Sequence, residues 1–334
     1  MKRRVFLSVA GGVLAWSFAG AAQQGARSKR LAIFSPSEQG ANLYERGGNK
    51  FNRALFAELR RLGQVEGQNL KVERYAREQS TSGPEALAAE VVQSNPDVIF
   101  IVGPYPLVFK KLTPRIPIVT IAADPVKIGI AESLARPGGN FTGVSIDAGS
   151  SIHAKRIELL REIVPAMSKL GCLVLRSQWE QGHYAPTIRA AAEMAGLALA
   201  VALVEHGAGE AGYRTAIERI SSDAASAVMV VDSPELFQNF ATIAKLASEK
   251  KLPAMFPFAE GVEAGGLMAY SVDLIELYKR AANNIDAILR GAKPGEIPFY
   301  QATKFELSVN LKTARQLGLT VPPALVVGAD KMIE

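Results

Sequence analysis

A chain of 334 residues is long enough for two ordinary domains, each with its own core. An apolar share of 48% and a charged share of 21% are those of a soluble globular protein. The formal charge of +6 shrinks once Lys2, Arg3 and Arg4 are assigned to an N-terminal export signal, since 35 basic residues then face 32 acidic ones, a net +3. With no basic stripe interleaved with aromatics, that balance argues against nucleic acid as a partner.

Residues 1–22, "MKRRVFLSVAGGVLAWSFAGAA", have the charged start, short apolar run and small residues of an export signal peptide. Cleavage is expected near Ala21 or Ala22, and Arg3-Arg4 before Val5-Phe6-Leu7 resembles a twin-arginine export signal. The apolar run is too short and too rich in glycine for a good membrane span. The one cysteine, Cys172, has no intramolecular partner, and its apolar neighbours suit a buried, inert thiol. No cysteine follows the signal to carry a lipid. The expectation is a freely diffusing, monomeric protein of a periplasm.

From residue 28 onward, short apolar strands alternate with longer amphipathic segments. "RLAIFS" reads as a strand, Tyr44 to Leu62 as a helix, "NLKVERY" as a strand and Pro84 to Ser94 as a helix. "DVIFIVG" and "PIVTIA" follow as buried strands. This βαβ succession predicts a mostly parallel sheet. The glycine-rich "RPGGNFTGVSIDAGS" then reads as a hinge, and the pattern restarts. "KLGCLVLRS", "ALAVALV", "SAVMVVD" and "PAMFPF" read as strands, with helices at Ala185 to Ala195, Gly212 to Ser222 and Pro234 to Lys250. "GLMAYSVD", a helix from Leu274 to Arg290, a linker, "FELSVN" and a short helix from Leu311 to Leu317 end the chain. The expected division is 28–145 plus roughly 273–292 for one unit, and 146–272 plus roughly 299–334 for the other.

One stretch, "VEHGAGEAGY", carries Gly207, Gly209 and Gly212 at the G-x-G-x-x-G spacing of dinucleotide-binding turns, with Asp232 twenty residues further on. Its position argues against that chemistry. A dinucleotide fingerprint opens on the first strand of its unit, whereas Gly207 follows the second. Glu205 and Glu210 would also repel a pyrophosphate. A surface loop beside a helix start is the simpler reading.

The chain is poor in catalytic motifs. His153, His183 and His206 lack metal-ligand spacing, and there is no nucleophile elbow and no P-loop. No cofactor and no metal is expected, and the chain is not expected to be an enzyme.

Four motifs are more specific: Asp124-Pro125-Val126, "SLARPGGNFTGVS", "VEAGGLMAYSVD" and "NLKTARQLGLTVPP". In this order, and across nearly the whole exported chain, they resemble the ABC-transporter substrate-binding proteins related to tryptophan- and tyrosine-binding lipoproteins. The resemblance implies a periplasmic-binding-protein type I fold: two doubly wound α/β lobes joined by a multi-stranded hinge, Venus-flytrap fashion, with a small-molecule ligand in the cleft. It also implies an ABC permease of the inner membrane as partner. A sensory protein showing its closed lobes to a membrane receptor is the alternative within the binding class, and an enzyme using the same cleft is the alternative outside it. Two turns depart from the family's usual pattern. Gly103-Pro104-Tyr105 stands where a Thr-Pro turn is common, and Ser177-Gln178-Trp179-Glu180 where an Asn-Pro turn is common.

The residues themselves suit binding, because a strand's carboxyl end followed by a helix start offers free amides to an anion. Such turns lie at Ser35 to Gln39, Gly103 to Tyr105, Ser177 to Trp179, and Asp232 and Ser233. The expected ligand is a small carboxylate, either an amino acid, an aromatic one included, or a small organic acid. Its carboxylate is expected at the serines and these amides and, for an amino acid, its ammonium at Asp232 or Asp124. Tyr105, Trp179 and Phe256 are the candidate walls for an apolar side chain. Duller roles compete: Ser35 and Asp232 as helix caps, Asp124 as a turn former, Trp179 as a packing residue. Asn140, Thr142, Gly143 and Tyr270 are assigned to the hinge.

Overall fold

The structure is a computed structural model that describes residues 28–146, 151–181 and 184–334. The export signal, Trp16, the end of the glycine-rich hinge stretch and His183 lie outside the described residues. Strands β1 (Lys29–Ser35), β2 (Leu70–Ala76), β3 (Val98–Val102), β4 (Ile118–Ala122) and β5 (Phe141–Ser145) follow one another with helical crossovers between the first four. They pair in parallel in the spatial order β5-β4-β3-β1-β2. A second series repeats the scheme with β6 (Lys169–Leu175), β7 (Ala198–Val204), β8 (Ala227–Val230), β9 (Ala254–Phe256) and β10 (Met268–Val272), parallel in the order β10-β9-β8-β6-β7.

Three short strands finish the two sheets. β11 (Tyr300–Gln301) adds in parallel to β5. β12 (Phe305–Asn310) runs antiparallel to β10, and β13 (Lys331–Ile333) parallel to β12. The C-terminal segment therefore reaches the second sheet at Phe305, a few residues later than the boundary near 299 read from the sequence. The Leu274–Leu289 helix packs on β4, β5 and the Lys50–Arg61 helix of the first lobe. Asp286 ties it down, accepting from Gln64 Nε2 at 2.8 Å, while Asn284 Nδ2 donates to Gly143 O at 3.3 Å.

Alternation explains why both sheets are covered. Along β1, Leu31 and Ile33 enter one hydrophobic cluster, and Ala32 and Phe34 enter another on the opposite face. Successive side chains of a strand point to opposite sides, so a strand apolar at every position needs helices on both faces. Cys172 on β6 is fully buried in the second lobe, and that burial pushes its thiol pKa up to about 12.

The helix expected from Tyr44 begins at Lys50 instead. Gly47 with φ 82° and then Gly48 break the chain before it, and the Asn49 side chain caps it by accepting from Phe51 N and Asn52 N. The helix expected over Pro234 to Lys250 is two helices, Pro234–Gln238 and Phe240–Glu249, divided at Asn239.

The residues assigned to the hinge brace the chain near its crossings. Thr142 Oγ1 donates to Ile297 O at 2.8 Å, and Tyr270 stacks on Phe305 with centroids 5.6 Å apart. Asn140 Nδ2 donates to Thr113 O and Ile116 O, within the first lobe. Gly143 pairs with Thr120 at φ 149°, where an added Cβ would lie 2.0 Å from Thr120 O. Gly143→Ala must therefore part β4 from β5 or strain the backbone. It should cost about 1–3 kcal/mol or more, read as a lower urea midpoint with an unchanged slope.

Candidate ligand-binding site

In doubly wound sheets ligands sit outside the carboxyl ends of the strands, where the strand order reverses. The first sheet reverses between β1 and β3, which end at Ser35 and Val102. The second reverses between β6 and β8, which end at Leu175 and Val230. The two edges face each other. A Cβ built on Gly103 would lie 3.2 Å from Pro234 Cγ. Glu38, after β1, accepts from Gln238 Nε2 at 2.8 Å. Lys50 forms ion pairs with Glu260 and Glu263 across the lobes, and Phe51 meets Phe237 with centroids 5.7 Å apart.

On the first lobe's edge, Ser35 is buried, Gly103 half-buried and Pro104 exposed. Tyr105 sets its ring edge on Phe34, centroids 5.4 Å apart, and burial raises its phenol pKa. Glu38 was not anticipated from the sequence. It is buried among amide donors, accepting from Asn42 and Asn49 of its own lobe as well as from Gln238. Asp124 closes its own turn, accepting from Val126 N and Lys127 N and pairing with Lys127 at 3.0 Å. These bonds favour the turn-forming role over an ammonium receptor.

The second lobe's edge carries a polar row. Gln178 Nε2 donates to Asp232 O at 3.0 Å, and Tyr184 Oη donates to Asp232 Oδ2 at 3.0 Å. Ser233 caps the following helix, accepting from Leu236 N, while Ser177 is exposed. Behind the row stands Arg156, 4% exposed. Its Nε donates to Tyr270 O and its Nη2 to Pro257 O, both at 3.0 Å. Burial pulls the Arg156 guanidinium pKa down, with Asp232 and Tyr184 opposing that shift electrostatically. His153, one helical turn before Arg156 and 5% exposed, faces Tyr184 with ring centroids 6.1 Å apart. Its Nδ1 and the Oε1 of Gln178 are buried without a hydrogen-bond partner.

Two expected walls lie elsewhere. Phe256 is fully buried in its lobe's core, edge-on to Phe240 at 4.9 Å and closely flanked by Gly261 and Gly266. Trp179 is 9% exposed within the second lobe's other core cluster, with the Arg189 guanidinium 5.0 Å from its ring. For both, packing claims the ring that the sequence offered to the ligand.

The glycine loop lies at the sheet's far edge, after the edge strand β7. Gly207 and Gly209 take φ of 75° and 61°, and the Gly207 N–H donates to Glu235 Oε1 at 2.8 Å. A side-chain carboxylate thus fills the place a phosphate would need. Among the described residues no histidine, cysteine and carboxylate cluster has metal-binding geometry.

The family model described as ABC transporter substrate binding protein matches residues 49–333. The chain belongs to that family. A tyrosine-binding protein of Clostridioides difficile strain R20291 is 24% identical over 282 residues, covering 81% of this chain and 77% of the relative. An ABC domain from Streptococcus pneumonia, solved in complex with L-Trp, superposes with a TM-score of 0.80 at 21% identity, covering 92% of this chain and all of that one. A conserved domain protein from Vibrio cholerae gives 0.81 at 23% identity, over 92% of this chain and all of that one. These superpositions establish the type I periplasmic-binding-protein fold for this family member.

The depressed pKa of His153, about 3 through burial first and Arg156 second, has a consequence for stability. The unfolded state gains a proton below about pH 6.5 while the folded state does not, so stability is intact above that pH and falls between 6.5 and 3. His153→Gln removes this dependence. Wild type should lose up to about 1.4 kcal/mol per pH unit more than the variant in that window, measured by urea unfolding at pH 7, 6 and 5.

Proposed function

We propose that the protein is an exported solute receptor of an ABC importer that captures a small carboxylate-bearing ligand, an aromatic amino acid first, in the cleft between its lobes. The observation that carries this is Asp232. It stands at the carboxyl edge of β8 beside the strand-order reversal, half-buried, with Gln178 on its carbonyl and Tyr184 on its carboxylate. A carboxylate so placed suits the ammonium of an amino acid. The tyrosine-binding relative and the L-Trp complex of the streptococcal protein support an aromatic side chain.

The first lobe offers the remaining surfaces: the turn at Ser35, the Gly103-Pro104-Tyr105 turn and the Tyr105 ring. Ligand held between the two edges favours the closed arrangement, and a permease of the inner membrane reads that arrangement. Residues 1–22 direct the chain to the periplasm, where it works as a monomer. No helix among the described residues is long and apolar enough to cross a membrane.

The test is calorimetry of the exported chain with L-tryptophan and L-tyrosine. Binding of either without chemical change after long incubation is the expected result. Asp232→Asn should weaken it by about 2–5 kcal/mol, as removal of one partner from a desolvated charge pair does. Lack of binding to any amino acid, or accumulation of a product, would overturn the proposal.

A further inference from the structure

The second lobe buries a charge that no described carboxylate pairs with directly. Arg156 is 4% exposed, yet among the described residues it has no carboxylate within ion-pairing distance. Its two hydrogen bonds go to neutral carbonyls, Tyr270 O and Pro257 O. Asp232 acts on it only through space. A guanidinium has five N–H donors, and the Nη1 pair makes no hydrogen bond to a described residue. Burying a cation without a hydrogen-bonded anion is expensive, so the arrangement is one that an arriving anion completes.

Spare acceptor capacity lies around Asp232, the carboxylate whose charge acts on Arg156. Gln178 spends its Nε2 on Asp232 O, which fixes the amide and leaves the buried Oε1 without a donor. His153 is buried with Nδ1 unpartnered and is held neutral beside Arg156. A missing anion and a missing donor, on two residues that both act on Asp232, are the two ends of a zwitterion.

We propose that the second lobe alone holds the charged head of the ligand: the Arg156 guanidinium receives the carboxylate, and Asp232 with Gln178 Oε1 receives the ammonium. This rests on amino-acid capture in the cleft and relocates the carboxylate from the serines and helix-start amides to a buried arginine. Arg fits that task because its fork pairs with both carboxylate oxygens. The first lobe is then left to read the side chain.

The experiment uses the exported chain and two series of probes. One is L-tryptophan, tryptamine, which lacks the carboxylate, and 3-(indol-3-yl)propionate, which lacks the ammonium. The other is L-tyrosine with its matching amine and acid. Affinities are measured by calorimetry for wild type, Arg156→Gln and Arg156→Lys, with thermal melts as the control on folding. In wild type the amine should bind about 30-fold or more weakly than its amino acid, the lower edge for a desolvated charge pair losing one partner. Arg156→Gln should weaken the amino acid by a similar factor while leaving the amine unchanged, and Arg156→Lys should recover only part.

An amine as tight as its amino acid overturns the assignment and leaves capture standing. So does a folded Arg156→Gln with wild-type affinity for the amino acid. If no probe bearing a carboxylate binds wild type, both the assignment and amino-acid capture fall. Should Arg156→Gln not fold, a folded Arg156→Lys that keeps wild-type affinity for the amino acid overturns the assignment in the same way.

Discussion

Parallel pairing is the constraint from which the rest follows. A parallel strand cannot return to its neighbour through a tight turn, so each crossover carries the chain over a face of the sheet and back. Every turn that leaves the carboxyl edge then ends one buried strand and leads towards a helix. With two such sheets edge to edge, Ser35, Gly103, Gln178 and Asp232 gather in one place although up to 197 residues separate them in the chain. Nothing in their local sequences brings them together. The reversal of strand order in each sheet does.

What was legible in the sequence follows from this. The strands inside "DVIFIVG" and "SAVMVVD", Val98–Val102 and Ala227–Val230, are apolar at every position because both faces of them are covered. The residues just after them therefore fall at the carboxyl edge, and this was enough to single out Gly103 and Asp232. It was also enough to discount "GAGEAG", since the strand before it lies at the outer edge of its sheet. Facing direction within a turn was not legible. Phe256 ends its strand, and Trp179 lies in a short helix, Arg176–Gln181, where the sequence suggested a turn; the rings of both point into cores whose other members come from distant segments.

Arg156 and His153 were missed for a related reason. They sit on the Ser151–Ile163 helix, which begins just after the chain first crosses between lobes. In sequence "SIHAKRIELL" reads as an ordinary amphipathic helix start, and an arginine there is most simply a solvated one. The signal was the i, i+3 pairing of His153 with Arg156 on the face that also carries Leu160 and Ile163. Polar residues on an apolar face call for partners, and those partners are carbonyls of β10 and of the turn after β9. Only the folded chain supplies them. Glu38 is similar: its amide donors Asn42 and Asn49 are local, but Gln238 comes from the other lobe.

The two faces of the cleft are built on different physical terms. The ion pairs between the lobes rest on groups that keep some access to water, such as Lys50 with Glu263, 33% and 38% exposed. Pairs of that kind contribute little each, so they can part and re-form without a large penalty. The Arg156 row is desolvated and tied to backbone carbonyls within one lobe, and it gains no partner from the other lobe among the described residues. A receptor of the kind we propose, which must close and open again, needs this division. If the strong electrostatic contact lay between the lobes, the protein would close without ligand. Placed within one lobe and, on the proposed reading, completed by the ligand head, it would make the ligand itself the component that joins a charged edge of one lobe to the weakly held other lobe. In that arrangement the free energy that shifts the population towards closure comes from the bound molecule.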